Sequence, residues 1–100
     1  MLKIEKGTKY AVVYTKAFLR DFRRLDKSDR YDLQKLHTII QQLADGEILD
    51  ASPRHHRLHG DMQGFFECHI QGDWLLVYER REKELILVAQ RTGTHSALFG

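Results

Sequence analysis

Five of the six histidines fall in the second half of the chain, at His55, His56, His59, His69 and His95. Asp73 and Trp74 follow His69 closely, and Phe99 stands four residues after His95. Several imidazoles in one cleft suit proton transfer near neutral pH, because the ordinary histidine pKa lies near ~6.5. Such a set could cleave a phosphodiester beside a 2′-hydroxyl. One group takes the hydroxyl proton and another gives a proton to the departing 5′-oxygen. Positive charge near the phosphate would come from Arg91, Arg57 or a protonated histidine. An aromatic ring nearby could stack an unpaired base.

Two other readings of these residues stand beside the first. The histidines could be scattered surface groups. They could also hold a metal: "HHRLH" spaces His55 and His59 by four residues, with His69 or His95 to complete a site. Pro53 and Gly60 bracket that segment and oppose a helix long enough to fix the spacing. No glutamate sits within it, as the H-E-x-x-H pattern requires. His37 lies at the edge of a helical apolar stripe and reads as structural, and Cys68 as a packing residue.

The elements that must carry these groups follow from the hydrophobic pattern. Residues 10–14, "YAVVY", predict a short strand. Residues 15–25 place Phe18, Phe22 and Leu25 on one helical face, with Lys16, Arg20, Arg23 and Lys27 in a stripe opposite. Ser28 is the expected N-cap of a second helix running to about Ala44, aided by Asp29 and Asp32, with Gly46 as its stop. Residues 45–64 have loop character. Residues 65–70 and 73–80 flank Gln71-Gly72, which reads as a hairpin turn, and a further strand covers residues 84–91. The order β-α-α-β-β-β is an α+β arrangement: two N-terminal helices on a small antiparallel sheet. A Gln71-Gly72 turn would put Phe66, Cys68, Leu75 and Val77 on the helix side. Glu67, His69, Trp74 and Tyr78 would then lie on an open face.

Composition sets the frame. One hundred residues, 42% hydrophobic and 30% charged, suit one small soluble domain. No apolar run, residues 74–78 included, exceeds five residues, far too few to cross a bilayer. The first ten residues lack a signal peptide's apolar stretch, and the single cysteine fits a reducing compartment, so the expected location is the cytoplasm, with no membrane partner. Residues 1–30 hold nine Lys/Arg against four Asp/Glu, a net of +5, whereas residues 31–100 carry −3. A polyanion is a plausible partner for the basic end, although a stripe of cations is most often a solvated helix face.

The segment "HRLHGDMQGFFECHIQGDWLLVYER" and the tail "RTGTHSALFG" resemble the YafQ branch of the RelE-like bacterial toxins. Its motif positions are His56, Leu58 and Gly60; then His69, Asp73 and Trp74; then Arg91, Gly93, Thr94, His95, Leu98 and Phe99. The likeness is close over residues 54–100 and upstream rests on the order of one strand and two helices. It implies a single toxin domain over residues 1–100 with the RelE-like microbial ribonuclease fold. It also implies an enzyme that enters the ribosomal A site and cuts messenger RNA there without metal or cofactor. His56, His69, Asp73 and His95 would form the catalytic set, with His95 and Asp73 as the acid/base pair and His56 and His69 orienting or stabilising the phosphate. Trp74 and Phe99 would shape or stack on the substrate. Products would carry a 2′,3′-cyclic phosphate, or its opened 3′-phosphate, and a 5′-hydroxyl. The partners would be a cognate antitoxin and the 70S ribosome with its messenger, the latter docked through Lys16, Arg20, Arg23 and Lys27. Arg57 stands where relatives commonly have proline, the stretch before Tyr10 is longer than usual, and His55 and His59 receive no role. The rival is a non-catalytic RNA- or protein-binding module of the same fold.

Overall fold

Thr15 starts the first helix: its hydroxyl accepts the Phe18 amide, one of the donors that a helix N-terminus leaves unpaired. In the computed structural model, which describes residues 4, 7–47, 55–57 and 64–100 (55–57 as backbone only), β1 (Ala11–Tyr14) leads into α1 (Lys16–Ser28). Helix α2 (Leu33–Ala44), β2 (His55–Arg57), β3 (Phe66–Gln71), β4 (Trp74–Arg81), β5 (Ile86–Thr94) and α3 (His95–Phe99) follow. The expected α+β order holds, with β2 and α3 as additional short elements. Helix α1 buries Phe18, Asp21, Phe22 and Leu25, and α2 buries Leu36, Ile40, Leu43 and Ala44, both at the three-and-four spacing of an amphipathic helix.

Ser28 is not the cap of α2. It ends α1, its hydroxyl donating to the Leu25 carbonyl, and Asp29 takes a left-handed conformation at φ 58° that stops the helix. Asp32 caps α2 instead, accepting the Gln34 amide. Aspartate tolerates left-handed geometry and also caps well, so the two aspartates divide tasks that the sequence pattern had assigned to one start signal.

The strands form one sheet in the order β1-β5-β4-β3-β2, antiparallel except that β1 runs parallel to β5. The hairpin turn lies one residue later than expected. Gln71 pairs with Trp74, leaving Gly72 and Asp73 as the turn, and a bulge between His69 and Gln71 absorbs the extra residue of β3. Gly72, at φ 58°, sits first in that turn, a position that favours glycine. Side chains alternate with a period of two, so the shift reverses β4. Trp74, Leu76 and Tyr78 join the helix-side core with Phe66, Cys68, Leu87 and Ala89, and Leu75 and Val77 take the other face, where they too are buried. Burying one large apolar side chain contributes about 1.5–3 kcal/mol, so a register that buries Trp74 and Tyr78 wins over one that exposes them.

Arg80 closes the far end of the sheet. Its guanidinium lies over the Tyr10 ring and donates to the Leu43 and Glu47 carbonyls, tying the sheet to the end of α2 and the residues after it.

Candidate active site

Three of the four expected catalytic residues meet at one end of the sheet. Asp73 occupies the β3–β4 turn, and its carbonyl accepts the His95 amide at 3.0 Å. That bond joins the turn to the first residue of α3. His69 is held at the same turn, its Nδ1 3.0 Å from the Gly72 carbonyl oxygen. The turn, the end of β3 and the start of α3 therefore carry His69, Asp73 and His95 together. Phe99 is exposed at 40%, with its ring centroid 5.1 Å from that of His95, so the two form an imidazole–aromatic pair on α3.

The tail is ordered by local chemistry. The Thr94 hydroxyl accepts the Ala97 amide and starts α3 immediately beyond β5, and the Gly100 amide closes it on the Ser96 carbonyl. The Leu98 side chain of α3 packs against β5 at Gly93, where an added Cβ would meet its Cδ2 at an ordinary contact distance of 3.4 Å. A strand ending in T-G-T is thus followed by one turn of helix that places His95 and Phe99 four residues apart on the same side.

His56 lies in β2, in register with Glu67 of β3, and Arg57 pairs in the same ladder with Phe66; their side chains fall outside the described residues, as does His59. The strand gives the backbone around His56 a fixed place at the sheet's edge next to β3. His37 sits on α2 with its Nδ1 3.2 Å from the Gln34 Nε2. Among the described residues no group of three or more His, Cys, Asp or Glu is placed to hold a metal.

Trp74 requires a correction. It is not on an open face ready to stack on a substrate but is 2% exposed within the core, edge-on to Tyr31, with its indole N–H donating to the Thr92 hydroxyl at 2.9 Å. The cause is the hairpin register described above. Phe99 is the exposed aromatic ring of this end of the sheet.

Arg91 is also committed. Its Nε and Nη2 donate to the two carboxylate oxygens of Asp21 at 2.6 and 3.1 Å, and these bonds hold the guanidinium above its usual pKa range. Asp21 was not singled out by the sequence pattern, yet it is buried and also accepts the Thr92 amide at 3.1 Å. A signal was present: an aspartate three residues after Phe18 falls on the apolar stripe of a helix whose other face is basic.

Lys16, Arg20, Arg23 and Lys27 are all exposed on α1, and none forms an ion pair among the described residues. They present the row of cations expected from the sequence. A separate cavity of about 210 Å³ opens between the C-terminal half of α1, β5 and α3, with Leu25, Tyr31, Ala97 and Leu98 in its wall and Arg24 and Arg30 among its polar lining. It stands against residues of α3 other than His95 and Phe99.

A sequence model described as bacterial toxin of type II toxin–antitoxin system, YafQ, matches residues 10–100. The chain is similar to the Escherichia coli K12 protein named mRNA interferase toxin YafQ, at 32% identity over 90 residues, covering 89% of this chain and 95% of that one. Its fold is similar to the toxin in the Escherichia coli DinJ–YafQ toxin–antitoxin complex, with a TM-score of 0.78 and 30% identity over 92% of this chain and 99% of that one. A metal-bound toxin from Helicobacter pylori superposes with a TM-score of 0.79 and 35% identity over 90% of this chain and 99% of that one. The chain belongs to the YafQ family of bacterial toxins of type II toxin–antitoxin systems.

Proposed function

We propose that this protein is the toxin of a type II pair and acts as a ribosome-dependent endoribonuclease, cutting messenger RNA in the A site by acid/base catalysis that needs no metal. The observation that carries this reading is the bond from the His95 amide to the Asp73 carbonyl, which joins the two residues proposed for proton transfer. The relative named an mRNA interferase supports the substrate class.

In this scheme one of the pair Asp73 and His95 takes the proton of the 2′-hydroxyl, and the oxygen attacks the adjacent phosphorus. The bond to the 5′-oxygen breaks, and the other member supplies the proton that makes it a hydroxyl. The first product is a 2′,3′-cyclic phosphate, which water can open to a 3′-phosphate. His69 and His56 orient the phosphate and offset its growing negative charge. Phe99 stacks on a base beside the scissile bond. Arg91 would reach the phosphate only with the part of its guanidinium not engaged by Asp21, and Arg57 would add charge from β2.

The ribosome supplies the ordered messenger, and the stripe Lys16/Arg20/Arg23/Lys27 binds ribosomal RNA phosphates. A cognate antitoxin, as in the DinJ–YafQ complex of the relative, would hold the toxin inactive in the cytoplasm. Metal independence has a direct test, prompted by the metal-bound neighbour. Toxin treated with chelator and then dialysed free of it should cleave ribosome-bound messenger as well as untreated toxin and leave a 2′,3′-cyclic or 3′-phosphate with a 5′-hydroxyl. Loss of cleavage on chelation, restored by one divalent ion, would replace this mechanism with a metal-assisted one.

A further inference from the structure

Thr92 is 1% exposed and lies two pairs in from the end of the β4–β5 ladder, opposite Leu76. Its hydroxyl accepts the Trp74 indole N–H at 2.9 Å and donates to the Leu75 carbonyl at 2.9 Å. Its amide donates to the buried Asp21 carboxylate, which Arg91 clamps from the other side. One residue therefore ties α1, β5 and β4 together through three hydrogen bonds. Trp74 and Leu75 directly follow Asp73, whose carbonyl holds the His95 amide. Thr92 is itself three residues before His95. The hydroxyl thus fixes β4 against β5 at the point where the two strands deliver the two residues proposed for proton transfer.

A hydroxyl has one proton to donate and can also accept, so it can satisfy both an indole N–H and a carbonyl. Valine has the same shape and can do neither. Serine can do both.

We propose that Thr92 is a positioning residue for this site, its hydroxyl setting the separation of Asp73 and His95 by holding Trp74 and Leu75 of β4 against β5. The proposal rests on the function proposed above. It also gives Trp74 a role from inside the core, where it acts through its indole N–H on the residue beside it.

The test compares Thr92→Val with Thr92→Ser in the full-length protein. Hydrogen exchange of the His95 amide reports the bond to Asp73 without any turnover. We expect exchange at least fivefold faster in T92V and within twofold of wild type in T92S. On messenger-programmed ribosomes, kcat should fall tenfold or more in T92V with KM within twofold, and T92S should recover to within about threefold. Trp74 is the only tryptophan, so its indole N–H gives one resonance, which should move in T92V and return in T92S. Should T92V fail to fold, Trp74→Phe removes the same donor and should accelerate His95 exchange in the same direction. Unchanged His95 exchange in a folded T92V or W74F, or equal losses in T92V and T92S, would overturn the proposal. Wild-type cleavage retained in full by T92V would overturn the positioning role alone. No cleavage by wild type would overturn the proposed function instead.

Discussion

Replacing Arg91 with alanine should destabilise the fold more than replacing its partner Asp21, although Arg91 lies nearer the surface. The side chains are 36% and 5% exposed, respectively. Asp21 accepts two bonds from Arg91 and one from the Thr92 amide. Without Arg91 the carboxylate stays buried with a single donor and no counter-charge. Breaking a fully buried pair in this way costs about 3–5 kcal/mol, and partial access of water to the Arg91 side suggests about 2–3 here. Without Asp21 the guanidinium can turn to water, and the main cost is the unpaired Thr92 amide, about 1–2 kcal/mol. Each kcal/mol moves the melting temperature of a domain this size by roughly 4–8 °C, so Arg91→Ala should melt roughly 10–20 °C below wild type. The double variant D21A/R91A removes both charges and should lose at least about 1 kcal/mol less than the sum of the singles. Urea unfolding at pH 7, followed by the fluorescence of Trp74, measures all four proteins. An Arg91→Ala protein within about 0.5 kcal/mol of wild type, or strictly additive losses, would refute the assignment of Asp21 as a buried charge that depends on Arg91.

Asp32→Ala should cost about 0.5–2 kcal/mol by removing the cap of α2, whereas Ser28→Ala should cost less, and thermal melts decide between them. The Tyr10 hydroxyl donates to Glu82, a bond that lowers the Glu82 pKa and raises that of Tyr10. The Glu82 contribution is therefore present above the ordinary carboxylate range and is lost as pH falls through the lowered folded value. The Tyr10 contribution is present below the ordinary tyrosine range and is lost as pH rises through the raised one. Tyr10→Phe should flatten the difference from wild type at both ends of a melting-temperature profile against pH. Arg20→Ala/Arg23→Ala should leave melting unchanged while weakening ribosome binding, and should reduce the slope of log K against log salt by roughly 1–2.

The amphipathic stripe of α1 was legible because Phe18, Phe22 and Leu25 repeat at helical spacing against a basic face. The same pattern hid Asp21, whose value depends on two residues some seventy positions away. The three-residue strand His55–Arg57 has no alternation long enough to announce a strand; pairing with β3 makes it one. The hairpin shows how little separates a correct element from a wrong face. Both strands and the glycine were evident, but whether Gly72 comes first or second in the turn is set by the bulge near Ile70. That single step moved Trp74 from a substrate platform to the core. The resemblance had already grouped His69, Asp73 and His95, and the strand order brings them together, with the His95 and Asp73 backbones meeting where β5 returns beside β4.

The most direct measurement adds the purified protein to messenger-programmed 70S ribosomes and maps cuts by primer extension. His95→Ala and the same messenger without ribosomes run in parallel. Cuts confined to the A-site codon, lost without ribosomes and lost in His95→Ala while that variant still binds ribosomes, are the expected result. Intact messenger with wild-type protein bound to ribosomes, or cleavage that His95→Ala retains, would contradict the catalytic site drawn here.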